Sequence, residues 1–229
     1  MSKSSRRTDV NRESIDSDQS YSLDEAISLL KKTSNAKFNE TIDIAINLGI
    51  DSKKSDQNVR GSMVLPNGTG KTLKVIVFAQ SEQVEAAKNA GADEVGFEDL
   101  AEKIKSGFSE FDLVIATPDT MRVVGQLGQI LGPKGMMPNP KDGTVTKNIE
   151  DAVIKAKTGQ IRFRNDKGGV VHCTIGKTDF SEASIKQNLE SLLDEIVKSK
   201  PSSSKGSFIK KVTVSSSMGP GITIDHNTI

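Results

Sequence analysis

The chain is poor in the residues from which active sites are usually assembled. It holds one cysteine, two histidines, one tyrosine and no tryptophan in 229 residues. A single cysteine excludes an internal disulfide and fits a reducing compartment. His172 and Cys173 are neighbours in what reads as a strand, so their side chains leave opposite faces and form no nucleophile–base pair. No second cysteine or nearby histidine supplies metal-ligand spacing. The expectation is a packed cysteine beside a surface histidine, with no metal, no cofactor and no enzymatic activity. His226 falls in a terminus expected to be mobile. Long apolar runs are also missing, and none approaches the roughly 18 residues of a membrane span. An excess of one charge is missing too. Thirty-one Lys/Arg against 30 Asp/Glu leave a net charge of +1, which argues against a generic polyanion coat.

What is present describes a soluble chain with a modest core: 34% hydrophobic and 27% charged residues, at a mean hydropathy of -0.38. That length suits one large domain or two ordinary ones. Residues 1–20 are rich in Ser and Arg, but Asp9, Glu13, Asp16 and Asp18 argue against a transit peptide, and no apolar secretory segment occurs. They read as a disordered tail. The charge is unevenly spread. From Gly159 to Ser217 ten Lys/Arg face six Asp/Glu, whereas from Thr69 to Thr158 eleven face thirteen. A polyanion should therefore meet the last third first.

Periodicity divides the chain into an outer and an inner grammar. Ser22 and Glu25 form the S-x-x-E of a capping box before Ala26, Ile27, Leu29 and Leu30. Thr41 to Leu48 alternates, with Ile42, Ile44, Ile46 and Leu48 on one face, as a half-buried strand does. Met63 to Leu65 reads as a short strand. From Lys74 the pattern changes. Strands Lys74–Ala79, Glu94–Gly96 and Leu113–Ala116 alternate with helices Glu82–Ala90, Asp99–Lys105 and Asp119–Leu131, implying βαβ units around a parallel sheet. Later, Gln160–Arg164 and Val170–Ile175 read as a hairpin around RNDKGG. Ile185, Leu189, Leu192, Leu193, Ile196 and Val197 make a helical stripe. Lys210–Ser216 and Ile222–Ile224 close as strands.

Neither outer piece buries a core alone. Joined, they give an α+β layer, so the expected architecture is an α+β split domain made by both chain ends (21–68 plus 159–229). A Rossmann-like α/β domain (69–158) is inserted in it, and the two crossings act as a hinge.

Few motifs carry chemistry. Residues 122–146 gather five glycines and three prolines with a single carboxylate, a costly loop that reads as a binding surface. Gly68-Thr-Gly-Lys-Thr72 imitates the end of a phosphate-binding loop. It lacks the earlier glycine, where Leu65 stands, and it opens a strand instead of a helix. The inner block has no G-x-G-x-x-G after its first strand, which removes the dinucleotide reading. Three outer segments remain: Lys37 to Thr41, RNDKGG at 164–169 and SSSMGP at 215–220. Small hydroxyls, a flexible Met and a glycine suit RNA 2′-hydroxyls and irregular folds, which are read by shape more than by charge.

IDIAINLGIDSKKSDQNVRGSMVLPNGTGK, GQLGQILGPKGMMPNPKDGTVT, GQIRFRNDKGGVVHCTIGK and SFIKKVTVSSSMGPGITI together resemble the ribosomal protein L-one family of bacterial and organelle type. The likeness runs from about Ser22 to Ile224. It implies a two-domain large-subunit protein of the mobile stalk, a monomer outside the ribosome. Implied partners are large-subunit ribosomal RNA, exit-site tRNA and, in many bacterial members, the protein's own messenger RNA. Carried over, the RNA-contacting patch contains Phe38, Thr41, Lys167, Gly168, Gly169, Ser217, Met218 and Gly219. Lys37, Arg162 and Arg164 are expected to join Lys167 on phosphates. Where many relatives have threonine, Ser217 keeps the hydroxyl and loses the methyl.

Overall fold

The computed structural model describes residues 10–11, 15–16, 19–80, 82–204 and 206–225. The chain divides into two units, Met1–Gly70 with Ile161–Ile229 and Lys71–Gln160. His226 lies outside the described residues, as does most of the segment expected to be a disordered tail. Of its described residues, Val10, Asp16, Gln19 and Ser20 are exposed and two are buried. Ile15 is 7% exposed within the first unit's core, and Asn11 donates its side-chain amide to the Thr33 carbonyl at 2.9 Å.

The first unit is α+β. Helix α1 (Leu23–Thr33) opens where Glu25 accepts from the Ser22 amide at 3.2 Å. It buries Leu23, Ala26, Ile27, Leu30 and Thr33, the face that a 3.6-residue period selects. Strand β1 (Thr41–Leu48) keeps its alternation and buries Ile42, Ile44, Ile46 and Leu48. Strand β2 runs Arg60–Val64, earlier than its sequence signal, and β6 runs Gln160–Arg164. Strands β7 (Val170–Lys177), β8 (Ile209–Ser216) and β9 (Ile222–Ile224) follow, with helix α7 (Glu182–Lys198) between β7 and β8. The sheet order is β7-β1-β8-β9, antiparallel throughout.

Both helices pack on the face that carries the isoleucines of β1, Cys173 and Ile175 of β7, and Val212 and Val214 of β8. The other face is left to Asp43, Ala45, His172, Thr174, Thr213 and Ser215, none of them buried. Val197, counted in the helical stripe, is 52% exposed. It lies seven and three residues after Glu190 and Asp194, on the polar face of α7.

The expected hairpin of β6 with β7 does not form. β6 pairs with β2, and only Asn165 bridges Val171. Asn165 explains the parting. Its backbone N–H donates to Val59 O at 3.0 Å and its side-chain oxygen accepts from the Val59 N–H at 2.8 Å, drawing β6 away.

The second unit is α/β. Strands β3 (Val75–Phe78), β4 (Glu94–Gly96) and β5 (Leu113–Ala116) form a parallel sheet in the order β4-β3-β5. Ile76, Phe78, Val114 and Ala116 face Leu100, Ile104, Val124, Leu127 and Leu131. Those five come from helices α3 (Glu98–Lys105), α4 (Met121–Gln126) and α5 (Gly128–Leu131), with the Leu127 link. The anticipated single helix Asp119–Leu131 is therefore two short ones, interrupted at Leu127 between Gly125 and Gly128. Val75, Val77, Leu113 and Ile115 face α2 (Glu82–Asn89) and α6 (Ile149–Thr158). The sequence reading passed over α6, although Ile149, Ala152, Val153 and Ala156 carry helical spacing. Among the described residues no helix is long and apolar enough to cross a membrane.

A buried amide fixes the segment leading out of β2. Asn188 on α7, fully buried, donates to Ile175 O at 2.8 Å and Gly68 O at 3.0 Å, and accepts from the Asn67 N–H at 3.0 Å. Asn188→Ala leaves these groups unpaired and is expected to cost on the order of 2–3 kcal/mol, read as a lower urea midpoint. Val197→Ala, on the exposed face, is the control and should move it by less than about 0.5 kcal/mol.

Candidate nucleic-acid interface

The two chain ends meet beside the start of β1. Ser217 donates its backbone N–H to Thr41 O at 3.0 Å, and the Thr41 N–H donates to Ser217 Oγ at 3.0 Å. This exchange fixes the Ser217 hydroxyl on the rim of the sheet. Gly219 follows where a Cβ would come within 2.5 Å of Ser216 Oγ, so any larger residue there displaces the Ser216 hydroxyl. Met218 and Phe38, at 52% and 54% exposure, are two of the few large apolar side chains presented to solvent. Lys37 is exposed beside Phe38. Lys37, Phe38, Thr41, Ser217, Met218 and Gly219 thus form one cluster.

Beneath it lies a residue that the sequence reading missed. Glu40 is 1% exposed, and its carboxylate accepts from the Ala36 N–H at 3.0 Å, Ser216 Oγ at 2.7 Å and the Met218 N–H at 2.9 Å. The signal was available: Glu40 shares the inward parity of Ile42, Ile44 and Ile46, an unusual place for a carboxylate.

Lys167, Gly168 and Gly169 do not join that cluster, contrary to the single patch expected. The register sets Thr41 opposite Lys177 and Asn47 opposite Val170. The RNDKGG turn therefore sits at the far end of the sheet, roughly 23 Å away at about 3.3 Å per residue. Strand direction is the reason, since β7 begins where β1 ends. The turn has its own construction. Asp166 Oδ1 accepts from the N–H groups of Gly168 and Val170, each at 2.8 Å. Gly169, at φ 78°, turns its carbonyl to the Leu48 N–H at 2.9 Å. Lys167 and Gly168 are exposed, and Gly169 is buried. Arg162 and Arg164 stand exposed on β6, which leads into this turn. Between the two ends runs the open sheet face, with a groove of about 350 Å³ lined by Asp43, Ala45, His172, Thr174 and Ser215.

Other residues weighed from the sequence fall into place. Cys173 is 7% exposed, and burial together with the Asp43 charge pushes its thiol up to about 12, so it stays protonated. His172 is exposed. The Gly68–Thr72 segment runs into β3, with no helix whose amides face a phosphate. Met136 and Met137 pack on the second unit's core, and Gly132 to Gly135, Pro140, Lys141 and Gly143 of that loop are exposed. Among the described residues no group of three His, Cys, Asp or Glu side chains is placed to hold a metal.

The N–H of Val170, then that of Gly168 and the nearby His172, hold the Asp166 carboxyl below its ordinary value of 3.8. A lowered folded value places the stabilisation at higher pH. These bonds persist through the neutral range and are lost only as pH falls through that lowered value. Amide shifts of Gly168 and Val170, followed by NMR, should titrate below 3.8; a midpoint at or above it contradicts the assignment.

Comparison with known proteins places the chain. A profile of the Ribosomal protein L1p/L10e family matches residues 30–220. The Large ribosomal subunit protein uL1 of Tolumonas auensis is 59% identical over 229 residues, covering all of this chain and 98% of its own. The protein of the same name from Vibrio vulnificus is 58% identical with equal coverage, and that from Neisseria gonorrhoeae 57% over 99% of its length.

Proposed function

The chain belongs to the Ribosomal protein L1p/L10e family, and on that premise we propose that its α+β unit reads an irregular helix junction of large-subunit RNA at the mobile stalk. The protein is a structural constituent of the large ribosomal subunit and not an enzyme. In this reading it acts as a monomer outside the ribosome and assists release of deacylated tRNA from the exit site. It also represses translation of its own messenger RNA, which presents the same junction to the same cluster.

One observation carries the assignment of the site. Phe38 and Met218 are held out to solvent on backbone that Ser217, Thr41 and Glu40 fix from below. An exposed apolar pair on a fixed frame suits stacking against splayed bases, and the hydroxyls of Thr41 and Ser217 suit ribose. Lys37 at this end, with Arg162, Arg164 and Lys167 associated with the far turn, hold phosphates. The RNA therefore spans both ends of the sheet, a reach the separated clusters demand.

Met218→Ala or Ser217→Val should weaken binding to a stalk RNA fragment about tenfold or more, with the fold retained. The same substitutions should weaken binding to the messenger leader in parallel. Retained affinity in both variants would remove the site from this end of the sheet. With four cations at the interface, the slope of log K against log salt should be shallow, about -2 to -4. A slope near -8 would reveal a broad basic surface elsewhere.

A further inference from the structure

Glu40 is an acidic group in a place where a charge is costly. Its desolvation is offset by hydrogen-bond donors, among them groups from two separate segments. Ala36 belongs to the loop that carries Lys37 and Phe38, while Ser216 and Met218 belong to the turn that carries Ser217. Met218 stands 178 residues after Glu40 in the chain. One oxygen, Oε2, serves Ser216 Oγ and the Met218 N–H, and the other, Oε1, serves Ala36.

We propose that Glu40 is the positioning residue of the RNA cluster. Its carboxylate clamps the Phe38 loop to the Met218 turn at one spacing and does not itself touch RNA. The role rests on the reading that this cluster binds RNA. It follows from the donor pattern, because Ala36, Ser216 and Met218 all donate and a carboxylate offers acceptors on both sides. A glutamine has the same shape, yet its amide nitrogen must face a donor on one side or the other. With its oxygen kept on Ser216 and Met218, the Ala36 bond is lost and the loop bearing Phe38 is released. A bound RNA must then order that loop itself, which lowers affinity with every contact residue still in place.

The test compares full-length chains carrying Glu40→Gln, Met218→Ala or both, binding a stalk RNA fragment at a temperature where circular dichroism shows each folded. Glu40→Gln is expected to weaken binding about tenfold. The double variant should lose clearly less than the product of the two single losses, since both act through one arrangement. A residue needed only for stability would lower the melting temperature and leave the affinity of the folded fraction unchanged. Wild-type affinity in Glu40→Gln, or losses that multiply independently, overturns the clamp. If Met218→Ala binds normally, or the wild-type chain does not bind, the RNA reading falls and the clamp falls with it. Weakened Met218→Ala beside unaffected Glu40→Gln sinks the clamp alone. Should Glu40→Gln fail to fold, Ser216→Ala removes a single donor and replaces it under the same criteria, with a loss of about threefold.

Discussion

The first unit depends on a strand from early in the chain that is paired on both edges by strands from late in it. Ala45 of β1 faces His172 on one side and Thr213 on the other, and the Thr41–Ser217 exchange closes a separation of 176 residues. Closing so long a loop costs only logarithmically more than closing a short one. The cost in cooperativity is larger. Ile42, Ile44 and Ile46 are buried only when α1, α7 and the late strands are all present, so no fragment of this unit holds a core of its own. The cluster proposed to bind RNA inherits that condition. Phe38 comes from one end of the chain and Met218 from the other, and the surface they make exists only once the ends have met.

A second pairing of early with late chain explains how an inserted unit is accommodated. The chain leaves after β2 and returns at β6, and these two strands pair with each other. Departure and return are neighbours within the first unit, so ninety or so intervening residues add little strain to it. Asn188 and the Asn67 segment secure the departing strand up to Gly68, and Gly159, at φ 109°, ends α6 just before the return.

Much of this was legible in the sequence because it is local. The alternation of β1, the capping signal of α1 and the buried strands of the second unit depend on periods of two and 3.6, which neighbours in sequence reveal. What was not legible depends on contacts between distant residues. β6 and β7 read as a hairpin since a Gly-rich turn joins them, but Asn165 finds its partner at Val59. Lys167 and Met218 were grouped because both belong to the resemblance, whereas strand direction places them at opposite ends of the sheet. Glu40 was overlooked because its partners, Ser216 and Met218, are distant. Its inward parity was visible, and a carboxylate at a core-facing position in a strand is a sign that a donor network must exist nearby. The helix α6 was missed for a different reason. Its apolar residues have helical spacing and Asn148 stands at its N-cap, but it directly follows the Gly- and Pro-rich stretch, which reads as loop.

A net charge of +1 is compatible with a nucleic-acid partner if recognition draws on order established before binding. Affinity from phosphate neutralisation falls with salt and does not distinguish one RNA from another. Affinity from a preset frame depends on fit. Here the hydroxyl of Ser217, the backbone of Met218 and the loop of Phe38 are each tied to another fixed group before any partner arrives. Ordering these elements is a cost met in folding, so it is not charged again on association. In the proposed reading Lys37, Arg162, Arg164 and Lys167 hold the RNA in register, and selectivity falls to uncharged groups whose positions the sheet determines. That division of labour is why the folding of the two chain ends and the recognition of the partner are, in this unit, one problem in geometry.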